Sequence, residues 1–191
     1  MNRPGKMDLL NRIYDRDPLS GAYIIQVSID RYTDIFNELD PSPLRKRDLD
    51  ADFVNYIEDF SIDIPLKYKT ELQVVGPREI RDVEKEKRVQ AGIKTYCNYM
   101  LLVLREKLYS AYRNAIGYTA VFLLLMLISF TLGPLLQNTV FSQTLLEGIS
   151  VGSWVFLWEA IALLSFKNLE TRREFKRYQR LELSPVKFLY R

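Results

Sequence analysis

Residues 115–136 read AIGYTAVFLLLMLISFTLGPLL and contain no charged side chain. As a helix rising about 1.5 Å per residue, they are long enough to cross a hydrocarbon core of roughly 30 Å. Lipid offers no partners for backbone N–H and C=O groups, so an apolar stretch of this length is predicted to be a transmembrane helix. Residues 148–166, GISVGSWVFLWEAIALLSF, predict a second span, interrupted only by Glu159, stopped by Lys167 and carrying two tryptophans. The short polar QNTVFSQTLLE between them suits a hairpin loop. Two buried helices of a soluble domain would fit the length and the paired basic flanks less well.

Those flanks set an orientation. Arg105, Lys107 and Arg113 precede the first span, and Lys167, Arg172, Arg173, Lys176 and Arg177 follow the second, whereas the connecting loop carries no base. The positive-inside rule then predicts both termini on the cytoplasmic side. The first 20 residues have no apolar run of the kind a signal peptide needs. The net charge of +3 is unevenly spread: residues 1–114 hold 19 bases and 19 acids, residues 115–166 only two acids, and residues 167–191 eight bases against three acids. The basic excess therefore belongs to the tail, which argues against a surface for a DNA duplex. One cysteine, Cys97, and no histidine exclude an internal disulfide, a Cys/His zinc site and a histidine base.

The N-terminal part predicts a small mixed module. Residues 23–29, YIIQVSI, are β-branched and bounded by Gly21 and Asp30, as a buried strand would be. In FNELDPSPLRKRDLD, residues 36–50, the two X-Pro steps disfavour helix, so its first half should be extended or turning. Asp48 or Asp50 can cap a helix over 49–60, with Phe53, Tyr56, Ile57 and Phe60 on one face. Residues 71–75 predict a second strand, closed by Gly76-Pro77. A strand, a helix and a strand imply a parallel crossover, but two strands do not make a stable sheet, so another part of the chain or another subunit must complete the core. From about Arg81, apolar residues recur every three or four positions with no proline before Pro134, which predicts one long helix, or two nearly collinear ones, entering the first span. After the second span, ETRREFKRYQRLE predicts a basic helix on or below the membrane surface.

No hydrolase elbow, P-loop, zinc-protease or dinucleotide-binding motif is present. The acids Asp30, Asp34, Glu38, Asp40, Asp48, Asp50 and Asp52 alternate with bases, a pattern of solvated or paired surface rather than of metal ligands. No enzyme and no cofactor are implied. Glu159 is the most pointed residue: a carboxylate within a span either faces a bundle interior or water path, or glues helices together. With Glu147, Ser150 and Ser153 it forms the candidate pore lining, against a reading of the two serines as packing residues. For an anionic ligand, the candidates are Arg31 after the first strand, Arg45, Lys46 and Arg47 in the quoted loop, and Lys67 and Arg78 about the second strand, joined by Lys69 and Arg81. Arg31 and Arg78 lie beyond the carboxyl ends of the strands, where open parallel sheets bind ligands. A mixed-charge surface loop is the competing reading of each.

DPSPLRKRDLD at 40–50, IKTYCNYMLLVLREKL at 93–108, and GSWVFLWEAIALL followed by the basic LETRREFKRYQRL together resemble a family of small bacterial proteins in which a DPSP…RDLD cytoplasmic module precedes two C-terminal spans. The resemblance covers most of the chain from Ile24 onward. The tryptophan- and proline-rich segment expected after the second span is missing here. The architecture is also similar to membrane effectors of bacterial anti-phage systems, among them the channel-forming effector of the Hailong system, where a nucleotide signal holds the channel shut. The resemblance implies a cytoplasmic sensor, a homo-oligomeric pore, with a tetramer favoured, and a ligand made by a partner nucleotidyltransferase.

The sequence thus predicts an α+β membrane protein of the bacterial inner membrane. It would comprise a cytoplasmic β-α-β sensor (1–80), a coupling helix (81–114), a transmembrane hairpin (115–166) and a basic cytoplasmic tail (167–191) that holds the basic cytoplasmic tail helix ETRREFKRYQRLE. Its expected function is an ion channel gated by a nucleotide or oligonucleotide; the alternative is a membrane-anchored scaffold that recruits a protein and transports nothing.

Overall fold

The computed structural model describes residues 6–44, 46–135 and 140–191. Their order is α1 (Lys6–Ile13), β1 (Tyr23–Ser28), α2 (Ala51–Asp63), β2 (Thr70–Gly76), α3 (Val83–Leu132), α4 (Val140–Ala162), α5 (Leu169–Leu183) and β3 (Val186–Tyr190), with short 3-10 turns after β1, β2 and α3. The chain divides into two compact units. One holds the residues up to Leu102 together with Glu174–Arg191, and the other holds Val103–Arg173.

The first unit is built on a parallel sheet of order β1-β2-β3. Ile25, Leu72 and Val186 are register partners across the three strands, so their side chains share one face. They meet Ile57 of α2, Ile93 and Cys97 of α3, and Leu181 of α5 around a void of about 10 Å³. A space of that size holds at most one water, so this face is close-packed. The next row, Gln26, Gln73 and Lys187, is polar and lies on the opposite face. The alternation YIIQVS and LQVV therefore reflects a sheet with one apolar face, and the third strand that β1 and β2 require comes from the chain's own C-terminus.

That return is secured by α5. Tyr178, 1% exposed, donates its hydroxyl hydrogen bond to Glu58 of α2, and Leu181 is also buried. Burial and the bond to Glu58 hold the Tyr178 phenol far above its usual pKa. Ser184 and Thr70 share a hydrogen bond of 2.6 Å where β3 joins β2, and Gln90 of α3 donates to the Val186 carbonyl at 2.9 Å. The basic tail gives one side of its helix and its last strand to this core. That strand, VKFLY, follows the predicted helix ETRREFKRYQRLE and is assigned no element of its own from sequence alone.

The loop 36–50 is closed by its own polar groups. The carboxylate of Asp40 accepts from the backbone N–H of Ser42 at 2.9 Å and of Asp48 at 2.8 Å. Phe36 and Leu49 form an antiparallel bridge, and Asp50 caps α2 by accepting from Asp52 N and Phe53 N. The aspartates of DPSP and RDLD thus act through local backbone bonds, as short acidic side chains do in turns and at helix starts. The loop rests on α3 at Gly92, where an added Cβ would stand 2.7 Å from the Leu44 carbonyl oxygen and 2.8 Å from the Phe36 ring.

In the second unit α3 and α4 run antiparallel. Tyr118 meets Phe156 and Phe122 meets Trp154, at centroid distances of 6.3 and 5.7 Å, while Ser129 donates to the Leu146 carbonyl at 3.4 Å. Partner numbers fall on α4 as they rise on α3, as a hairpin requires. Its connection, residues 136–139, lies outside the described residues. α4 begins at Val140, so most of the predicted polar loop is helix; Thr144 returns its hydroxyl to the Val140 carbonyl at 3.0 Å. Both helices are long and apolar enough to cross a membrane, and only 6% and 11% of their most apolar windows are buried. A core helix of a soluble domain would bury most of that surface.

Two outcomes follow for stability. Gly92→Ala should destabilise the chain by about 1–3 kcal/mol despite alanine's better helix propensity, because the Leu44 carbonyl is backbone and cannot swing aside. Gly117→Ala, with nothing within 4 Å of its added Cβ, should cause no loss in the same denaturation assay. The Asp40 carboxyl is held below the usual carboxylate range, first by its bond from Asp48 N and then by those from Ser42. A depressed folded pKa gives stability that is complete above the unfolded value, about 4, and is lost as pH falls through the folded one. Asp40→Asn should therefore flatten the acid limb of the chain's stability-pH curve.

Candidate functional site

The cationic ligand candidates among the described residues are not gathered into one place. Arg31, at the carboxyl end of β1, is exposed and lies 3.6 Å from Asp34, whose carboxylate also accepts from Asp30 N and Arg31 N. Arg78 is exposed in the turn after β2. Lys46 is exposed in the 36–50 loop, Arg47 donates to the Ser42 carbonyl at 3.1 Å as part of the loop's closure, and Arg45 lies outside the described residues. Lys67, with Lys69, borders a cavity, and its ammonium lies 4.9 Å from the centre of the Tyr68 ring.

That cavity, of about 840 Å³, opens at the amino ends of the strands, opposite to the end the crossover topology suggested. Thr70 starts β2 and Lys67 and Lys69 come from the segment just before it, Lys176, Gln179 and Arg180 come from α5, and Lys187 from β3. Ala22, Leu66, Leu183 and Pro185 supply apolar wall. It exists because the tail folds back, so a reading that left the tail outside the module could include Lys67 and Lys69 but had no reason to add Lys176, Arg180 or Lys187.

Each wall has a fixed electrostatic role. Arg180 donates to the carbonyls of Ser61, Ile64 and Pro65 at 2.6, 2.9 and 3.0 Å, collecting the acceptors that the end of α2 leaves without helical partners. Burial, with Arg177 nearby, lowers its pKa to about 10. Glu71 is 1% exposed and is compensated by Lys187 at 2.7 Å and Gln73 at 2.8 Å. This bond holds the Lys187 ammonium above its usual pKa. Asp17 accepts from Leu19 N, Ser20 N and the Ser20 hydroxyl and lies 4.0 Å from the Lys187 ammonium, in a turn completed by Gly21 at φ 67°, a left-handed conformation that glycine adopts freely. Among the described residues no group of three or more acids, histidines or cysteines could hold a metal ion. Cys97 is buried, with its thiol pushed up to about 12 by that burial, and is inert as a nucleophile.

The candidate pore residues separate in the second unit. Glu147 is exposed and Ser150 half-buried. Ser153 is fully buried, and its hydroxyl donates to the Ser150 carbonyl at 2.6 Å, a bond within its own helix. Glu159 forms an ion pair with Lys167 across a π-helical turn, Leu163–Lys167. Asn168 donates to the Leu163 carbonyl at 2.6 Å, and Arg172 to the Tyr112 hydroxyl at 2.8 Å and the Leu164 carbonyl at 3.1 Å, which satisfies backbone acceptors around that turn. Lys167, read from the sequence as a flanking base, is thus the partner of the carboxylate in the span.

No protein-family model, curated protein or solved structure matches the chain.

Arg180→Ala should cost about 1.5–3 kcal/mol, because it strands carbonyls bonded to a charged donor. Arg180→Lys should recover part of this, since an ammonium reaches fewer of the carbonyls than the planar fork. Chemical denaturation of the full chain in detergent provides the comparison.

Proposed function

We propose that the chain is a membrane-anchored ligand sensor of the bacterial inner membrane whose output is ion conduction. Copies assemble so that their hairpins line a pore, the mixed module faces the cytoplasm, and an anionic nucleotide or oligonucleotide made by a partner enzyme sets its state. Anti-phage defence is the setting the sequence resemblance implies. The observation that carries this reading is α3: one uninterrupted helix of 50 residues contributes Val89, Ile93 and Cys97 to the module's core and contains the first apolar span. A change in how the module packs around those residues has a continuous hydrogen-bonded path into the hairpin. The positive flanks orient both termini inward, and the little-buried apolar faces of α3 and α4 leave surface for lipid and for other copies.

The scaffold reading draws on the Glu159–Lys167 pair and on the buried, self-bonded Ser153, which give these residues roles in holding the hairpin together. Ion flux into proteoliposomes separates the two. The channel reading expects flux that responds to added nucleotides and a changed conductance in Glu159→Gln. No flux with or without nucleotides, together with an unaltered phenotype of Glu159→Gln in cells, would leave the scaffold standing.

A further inference from the structure

The cavity at the amino ends of the strands carries more positive charge than its own acids compensate. The guanidinium of Arg180 is half-buried and donates only to neutral acceptors, and among the described residues no carboxylate lies within ion-pair distance of it. A cation withdrawn from water without a counter-charge is costly. Lys69 and Lys176 line the same space and make no ion pair among the described residues, while the two acids on the wall are already occupied, Asp17 by Ser20 and backbone N–H groups and Glu71 by Lys187 and Gln73. The space therefore sets five cations, Lys67, Lys69, Lys176, Arg180 and Lys187, against two carboxylates, a net positive charge that favours an incoming anion.

We propose that this cavity binds an organic phosphate bearing at least two negative charges and a flat apolar group. Its volume, about 840 Å³, is within the roughly 300–1,000 Å³ of small-molecule sites, well beyond what a bare ion fills. The free cations are lysines, compact charges that suit the several oxygens of phosphate, whereas the one arginine, whose fork would favour a planar carboxylate, is committed to backbone carbonyls. Leu66, Leu183 and the Tyr68 side chain supply the wall for the apolar part. The ligand bridges β2 and α5, the elements that hold the C-terminal strand in the sheet, so its binding tightens the return of the tail. This proposal rests on the sensor reading only for its purpose; the site stands whether or not the hairpin conducts.

Calorimetry on the full chain in detergent micelles tests it, with ADP, inorganic phosphate and phosphatidylglycerol mixed into the micelles as separate probes. ADP should bind and raise the thermal midpoint, with inorganic phosphate at least about tenfold weaker. K69E/K176E should weaken ADP at least about tenfold, whereas K94E, an exposed charge outside the cavity, should change the Kd by less than about twofold. An unchanged ligand-free midpoint confirms that the double variant folds, and K69Q/K176Q replaces it if it does not. Failure of ADP to bind, equal loss in K94E, phosphate binding as tightly as ADP, or binding of phosphatidylglycerol alone would each overturn the proposal. ADP binding without flux would instead remove the channel reading and leave this site in place.

Discussion

The parallel sheet imposes the condition on which the rest of the first unit depends. Parallel neighbours cannot be joined by a tight turn, and each crossover must travel the length of the sheet before the next strand begins. Between β1 and β2 that path is α2. Between β2 and β3 it is all of α3, α4 and α5, so the apolar hairpin is inserted within a crossover. The module is consequently discontinuous in sequence: its central strand lies near residue 70 and the strand that completes it lies at the end of the chain. The helix that enters the hairpin and the helix that leaves it both give side chains to one core, Ile93 and Cys97 from α3 and Tyr178 and Leu181 from α5.

This connectivity gives Arg180 and Tyr178 their importance. A third strand at the edge of a small sheet holds poorly unless the element before it is fixed. Arg180 fixes α5 by gathering the carbonyls at the end of α2, and Tyr178 does so through Glu58. The same anchoring brings Lys176 and Lys187 beside Lys67 and Lys69. The cavity is therefore a by-product of closing the sheet, and any ligand held there would be linked to the stability of the tail.

Local signals made several elements legible in the sequence. The X-Pro steps and aspartates of 36–50 announced a turn and a cap, and Asp50 does cap α2; the period of three and four from Arg81 announced a helix, which proves to be continuous through the first span. The β-branched runs marked β1 and β2. What escaped was long-range. VKFLY alternates as a strand should, but it is five residues behind a strongly helical, basic segment, and nothing local says that it pairs with residues 72–76. The preference of open parallel sheets for ligands beyond their carboxyl ends points to Arg31 and Arg78, whereas the cavity formed with α5 and β3 lies at the amino ends. Glu159 was identified as a charge in need of an explanation, but its partner eight residues away is brought near by a π-helical turn, and an eight-residue spacing has no such meaning on a regular helix.

The central claim is that the C-terminal strand completes the module in the same chain. Hydrogen exchange of the β2 amides, compared between the full chain and a chain ending at Leu183 with the hairpin intact, measures this directly. Complete protection of β2 in the full chain and its collapse in the shortened one is the result the structure predicts. Equal protection of β2 in both would contradict it, because the central strand would then not need β3 to be held.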